Sequence, residues 1–470
     1  MSVTSIEFFL FAGLVCAALL ALGRAEKLKK LLLIGASLYF YATYDLRFVL
    51  ILAFLTVLSY AVGIRVHRAE SRKQKKRWLG VGILVGLLPL CFYKYLPVMA
   101  LGLAPEGSPV GLGGWLDGLV LPIGISFYTF QALSYPLDLY RGTLERPARF
   151  LDLACFVSFF PKLLVGPIVR AGQFLPQLDR PIRVANGAQA ASGLYLILQG
   201  LAKKLIFADI LANHIVDLAF ADPASHGTLF LVIAVFAYSF QIYFDLAGYT
   251  DIVRGVSRCM GLELPSNFNR PYLAATVSSF WQRWHITMSS FFRDYLYFSI
   301  GGSKRGNVYF NLLVTFVCIG IWHGAGWNFV IYGLIHGALV GWERFRRGIR
   351  KARGLTEAFV GAELVGRIAL TFAIVSFARI LFRTPDLAGA AAYVRAFANV
   401  GNMEVPVSDL GLLVLLLSFA VHFTPPVWAQ AMRRRFVSSP AYVQAAVVGA
   451  GLFLFLALPD ATASFIYAQF

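Results

Sequence analysis

The stretch LLVTFVCIGIWHGAGWNFVIYGLIHG, residues 312–337, contains no lysine, arginine or carboxylate and is apolar almost without break from Leu312 to Ile321. A membrane crossing needs about 20 mostly apolar residues for about 30 Å of hydrocarbon. The stretch therefore reads as parts of two membrane segments, near 307–322 and 327–343, that meet at a break. Gly320, Gly324 and Gly326 surround that break, where a helix can end or a second backbone can approach closely. His323 stands in the middle of it. An imidazole held there without a partner would lose water with no compensation, so a partner or a cavity is expected. His336 lies thirteen residues further on, which excludes a zinc pair at i, i+4 and leaves it a structural helix histidine.

The rest of the chain agrees with a membrane setting. Of 470 residues, 58% are hydrophobic and 14% charged, against about 25% charged in a soluble domain. The net charge is +18. In a soluble protein that excess would raise nucleic-acid binding. Here the basic residues form short runs between apolar segments, so they imply topology and anionic lipid, and no nucleic-acid partner. Cys16, Cys91, Cys155, Cys259 and Cys318 are widely spaced with no CxxC, which supports neither a disulfide framework nor a zinc site, and no metal is expected. They read as small buried hydrophobes.

Candidate segments lie near 5–22, 31–44, 47–64, 78–100, 115–134, 151–169, 190–218, 228–256, 307–322, 327–343, 363–382, 408–428 and 441–458. Several are short or broken by Gly and Pro, so about 10–13 membrane helices are expected, some of them re-entrant. The first segment lacks a signal peptide's basic start and cleavage site and is read as retained. Arg24–Lys30 and Arg65–Arg77 flank an apolar hairpin turning at Asp45. Both basic runs can then face the cytoplasm, with the N-terminus periplasmic. Arg344–Arg353 and Arg433–Arg435 are further cytoplasmic candidates. With no long polar linker, 1–470 reads as one integral membrane domain: N-terminal helices to 115, a core over 120–345 and C-terminal helices from 346. The core is placed there because its apolar runs are interrupted by polar and ionisable residues, which at membrane depth suggest function by default.

Beside 321–337, two further core segments carry the candidates: 126–135 leading to 159–170, and 243–252 leading to 280–297. In 159–170, Lys162 sits between Pro161 and Pro167, and Arg170 closes the run. Lys162 reads either as a snorkelling lysine or as a cation that steadies an anionic donor such as a phosphopantetheine. In 243–252, Asp245 is an acidic group in an aromatic run. In 281–295, Trp281, Trp284, His285, Met288, Phe292 and Tyr295 recur at helical spacing, with Gln282, Arg283 and Arg293 elsewhere, so an amphipathic helix is expected. His285 lies on its aromatic side. The chain has no HExxH, GxSxG or Walker A motif and no adjacent histidine pair. The chemistry that fits is general-base acyl transfer from a neutral imidazole. His285, Trp322 and Asn328 are available to orient His323 as the base. Cys318 and Ser289 are conceivable covalent stops, though packing is the ordinary reading of each. His67, His214, His226 and His422 receive structural readings.

These segments resemble the membrane-bound O-acyltransferase (MBOAT) family. The resemblance rests on SFYTFQ at 126–131, GPIVR at 166–170, DLAGYTDI at 245–252 and FNRPY at 268–272. FWQRWHITMSSFFRDYLY at 280–297, GGS at 301–303 and WHGAGWNF at 322–329 complete it. It is strongest to the branch of the alginate O-acetyltransferase membrane subunit and related bacterial exopolysaccharide acetyltransferases. It implies an all-α polytopic fold, a ring of tilted transmembrane and re-entrant helices around a central funnel. It implies His323 as the catalytic histidine and His285 as the second. Lys162, Arg170, Asp245, Trp281, Arg283, Trp284, Trp322 and Asn328 would line the donor path. No bound cofactor is implied: acetyl-CoA or an acyl carrier protein thioester would be a substrate on the cytoplasmic side of the inner membrane. The acyl group would leave towards an extracytoplasmic polysaccharide, such as alginate or cellulose, through an esterase-like partner. The rival readings are a transporter or flippase, whose intramembrane charges and broken helices look similar, and a non-catalytic subunit of an exopolysaccharide secretion complex.

Overall fold

Ser5, Asp45, Ser71, Asn307 and Ser408 each accept a backbone N–H one turn into the helix that follows. Such caps satisfy amides that have no partner inside the helix, and they divide an otherwise apolar chain into discrete helices. In the computed structural model, which describes residues 1–98, 119–354, 359–402 and 404–456, no β-strand occurs among the described residues. The helices are α1 (Ile6–Ala21), α2 (Glu26–Ala42), α3 (Leu46–Arg68), α4 (Arg72–Leu90), α5 (Ile125–Arg141), α6 (Phe150–Ser158), α7 (Ala171–Leu178), α8 (Gly187–Leu201) and α9 (Thr228–Cys259). There follow α10 (Val277–Arg283), α11 (Ile286–Phe291), α12 (Val308–His323), α13 (Trp327–Ala352), α14 (Gly361–Ala378), α15 (Leu387–Ala396), α16 (Asp409–Phe423), α17 (Pro426–Ser438) and α18 (Ala441–Leu456).

Among the described residues four helical stretches are long and apolar enough to cross a bilayer: Leu46–Arg68, Arg72–Val98, Thr228–Cys259 and Gly361–Arg383. The pair α16 and α17, bent by 92°, makes a fifth if it is one span. Helices α1, α12 and α18 are apolar but shorter. Other expected segments are short or broken, as their Gly and Pro interruptions implied, and the middle of the chain is broken repeatedly. π-Helical turns interrupt it at Ala202–Ala208, Ala212–Val216 and Phe292–Tyr297. The segment expected at 115–134 lies partly outside the described residues, and its described part enters α5 at Ile125. Of the five cysteines only Cys155 is buried and Cys91 is exposed, so the buried reading fits one of them. Cys91 opens a π-turn at the end of α4 and is exposed there.

The helices gather into two compact units. The first comprises residues 1–197, 249–265 and 436–439. Here α2 and α3 form the expected hairpin at Asp45. Hydrogen bonds from the Arg47 side chain and backbone hold the Asp45 carboxyl below its usual range. The second comprises residues 198–248, 266–435 and 440–470. Its core is the hairpin of α12 and α13, and the two backbones meet through glycine. A Cβ at Gly320 would lie 2.1 Å from the Phe329 carbonyl oxygen, and one at Gly333 would lie 2.4 Å from that of Phe316. Small residues permit such contact between membrane helices, where dispersion replaces the hydrophobic drive.

Candidate active site

The break read at 320–326 is present. Helix α12 ends at His323, Gly324 is extended, and α13 starts at Trp327. The turn is set by contacts that only glycine allows: a Cβ at Gly324 would lie 2.1 Å from the Phe329 ring, and one at Gly326 2.2 Å from Asn328 Oδ1. Asn328 itself donates through Nδ2 to the carbonyls of Leu381 and Thr384, at 3.0 and 3.1 Å. It therefore ties the turn to the helical turn Ile380–Arg383. His323 is buried at 2% exposure, its ring 5.0 Å from Phe382 and 6.5 Å from Tyr332.

The amphipathic helix expected over 281–295 is not continuous. It breaks at His285, which takes φ 43° and ψ 53°, between α10 and α11, and Phe292–Tyr297 is a π-turn. A left-handed conformation costs a non-glycine residue roughly 1–2 kcal/mol. Such outliers persist where the surroundings over-determine them, and they cluster at functional sites. The surroundings here are explicit. Trp284 donates to Phe280 O at 2.8 Å, and Ile286 to Asn267 O at 2.8 Å. The Thr287 backbone and hydroxyl both donate to Asn267 Oδ1, at 3.2 and 2.9 Å. Glu343 of α13 accepts the N–H groups of Val277 and Ser278, at 2.5 and 2.8 Å, and so holds the start of α10. A carboxylate there also complements the partial positive charge of the helix end.

The break brings the two histidines to one indole. The His285 ring stands edge-on to Trp322 with centroids 5.9 Å apart, and Trp322 lies 4.9 Å from His323. His285 is 1% exposed. Trp281 is close by, but its indole N–H donates to His336 Nδ1 at 3.2 Å. His336 is thus fully buried and hydrogen-bonded, with its ring 4.4 Å from Tyr332.

The other candidates are placed as follows. Arg283 is half-buried at the end of α10, and its carbonyl accepts from Asn269. Asp245 pairs with Lys204 at 2.7 Å, and Lys204 also reaches Asp209 at 2.8 Å. Lys162 and Arg170 belong to the first unit. Lys162 does not snorkel. It is fully buried, donates to Gln131 Oε1 and to Phe156 O, and lies 4.5 Å from the Phe156 ring centroid.

One residue of this neighbourhood was not among the sequence candidates. Arg379, 1% exposed, lies 4.3 Å from the Trp284 ring centroid and donates from Nη1 to the Tyr272 hydroxyl at 2.6 Å. A signal existed: it is the one charged residue from Ile368 to Phe382, and intramembrane charges mark function.

An all-helical membrane protein with two imidazoles buried about one indole, on broken helices, can hold a general base away from water. The model of the membrane-bound O-acyltransferase family matches residues 33–377, and the chain belongs to that family. It is an acyltransferase of many membrane helices. It is 34% identical over 386 residues to the probable alginate O-acetylase of Pseudomonas aeruginosa, covering 81% of this chain and 72% of that one. It is 33% identical over 405 residues to the peptidoglycan O-acetyltransferase of Helicobacter pylori, covering 80% and 75%. The teichoic acid D-alanyltransferase of Bacillus subtilis is 27% identical over 353 residues, covering 72% and 86%. Family membership favours the acyltransferase reading over the transporter one.

Proposed function

We propose that the protein moves an acetyl group from a cytoplasmic thioester across the inner membrane for O-acetylation of an extracytoplasmic polysaccharide, with His323 as catalytic base. The observation that carries this reading is the pair of buried imidazoles, His323 and His285, each against the Trp322 indole. The neutral His323 ring takes the proton of an acceptor hydroxyl as its oxygen attacks the acyl carbonyl, and the C–S bond then breaks. The departing sulfur takes the proton, which returns the imidazole to its neutral form. Burial keeps competing water away and strengthens the dipoles around the reacting carbonyl. His285 is the second histidine, fixed by the strained break. Trp281, Trp284 and Trp322 wall the site on the aromatic side, with Arg283 and Asn328 at its ends. Asp245, paired with Lys204, belongs to the donor path.

The donor is acetyl-CoA or an acyl carrier protein thioester, bound as substrate and not as a resident cofactor. The relatives named for alginate and peptidoglycan acetylation support acetyl as the group and a polysaccharide as acceptor. An esterase-like partner completes delivery outside the membrane, and the N-terminus is periplasmic.

The test uses purified protein in nanodiscs with radiolabelled acetyl-CoA, alone and with an acyl carrier protein. His323→Ala should reduce thioester turnover roughly 10²–10⁴-fold, the share of a general base, with unchanged thermal stability. Full turnover by a folded His323→Ala protein would sink the assignment.

A further inference from the structure

Arg379 is a buried cation with no carboxylate beside it among the described residues. Among the described residues its neighbour Arg383 has Asp217 at 2.8 Å, whereas no carboxylate pairs with Arg379. Its guanidinium lies among the rings of Tyr272, Phe280 and Trp284, at 5.2, 5.5 and 4.3 Å. Nη1 is occupied by the Tyr272 hydroxyl. The Tyr332 hydroxyl also approaches the guanidinium, and Nη2 is buried with no well-formed hydrogen bond among the described residues. His336 Nε2, in the same neighbourhood, is also buried and unpartnered. Buried polar atoms are almost always paired, and each exception needs an explanation. A guanidinium presents a fixed fork of donors suited to oxyanions.

The position of this open valence is informative. Trp284, against which the guanidinium packs, precedes His285 in the chain. Phe382 donates its backbone N–H to Arg379 O at 3.0 Å and touches the His323 ring at 5.0 Å. Tyr332 neighbours both Arg379 and His323. Through Trp284 on one side and Tyr332 and Phe382 on the other, the guanidinium belongs to the same cluster of side chains as the two imidazoles.

We propose that Arg379 is the oxyanion-binding residue of this site, with Nη2 receiving the acyl carbonyl oxygen as it becomes negative. The inference rests on the acyl-transfer reading above. When the acceptor oxygen forms its bond to carbon, the carbonyl π pair moves onto oxygen, and that alkoxide lies against Arg379. When the intermediate collapses, the C=O bond re-forms and the C–S pair leaves on sulfur. A preformed cation in a dry site stabilises such charge without reorganisation.

Two measurements test this on the full-length protein in nanodiscs. The first is binding of an acyl phosphonate monoester, a tetrahedral anion, against its neutral methyl ester. Wild type should prefer the anion at least roughly tenfold, and Arg379→Met should erase the preference. Replacing a buried charge by an apolar side chain of similar volume is often neutral for stability, and Arg379→Gln serves if the Met variant does not fold. The second is turnover: kcat should fall about hundredfold, with KM for the thioester nearly unchanged, a split that a merely structural arginine would not give. The proposal is overturned if wild type shows no preference for the anion, or if the preference survives in whichever variant folds. Arg379-dependent phosphonate binding in a protein without thioester turnover would instead remove the acyl-transfer reading and leave the anion subsite standing.

Discussion

His285 shows how a single residue can be fixed by its surroundings against its own preference. Its φ of 43° suits Asn and Gly and is a steric outlier for a β-branched side chain. His285→Asn and His285→Val both remove the imidazole, and acyl transfer should fall in both. They should differ in stability, with Val the less stable by about 1–2 kcal/mol, read from thermal unfolding in detergent. Equal stabilities would mean that the break at 284–285 relaxes when the side chain changes. The histidine was legible in the sequence, but its conformation was not. Trp281, Trp284, Met288 and Tyr295 fall at helical spacing whether or not the helix is broken, so periodicity gave no warning. Arg379 escaped attention for a different reason. It stands outside the 120–345 core that the interruptions defined, and what makes it unusual is a missing carboxylate, which no sequence pattern records.

At the scale of elements, the hairpin of α12 and α13 presents His323, and glycine sets its closeness. Gly333→Ala should destabilise by about 1–3 kcal/mol, the cost of overpacking, because the new Cβ meets Phe316 O and Val317 Cα, at 2.4 and 2.9 Å. Backbone atoms of a packed helix cannot step aside as a side-chain tip can. Gly348→Ala lies on the same helix with nothing within 4 Å, and it should be neutral or stabilising by about 0.5–1 kcal/mol. Thermal unfolding of the pair checks the contrast, and loss of stability at both positions would indicate a general intolerance of α13. The break at Gly324 and Gly326 was readable because three glycines within seven residues rarely continue a helix. Asn328 was read as a partner for the base, yet its amide bonds the carbonyls of Leu381 and Thr384. Those acceptors lie more than fifty positions away and could not be assigned without the fold.

For the molecule as a whole, charge and apolar length define the relation to the membrane. The basic run Arg65–Arg77 lies in the end of α3 and the start of α4, on both sides of their turn, and the turn between α2 and α3 carries Asp45. In a background with the native cysteines replaced, Glu70→Cys should react with an impermeant thiol reagent only after the cells are opened. Thr43→Cys should react from outside. Both positions are exposed. The reverse pattern would invert the orientation proposed here and, with it, the direction of acyl transfer. Family and membrane class were legible at this scale, because motifs in order over half the chain and a 14% charged content leave few alternatives.

By itself, then, the sequence determined the solvent, the helical class, the family and the two histidines, since composition and local motif are properties of the chain. Only the tertiary structure decided that His285 and His323 meet at Trp322, that Lys162 is satisfied inside its own unit, and that Arg379 is buried with no carboxylate beside it among the described residues. Each of these depends on which remote groups pack against a side chain. In a medium without water, those groups alone determine whether a charge or a hydrogen-bonding atom is satisfied.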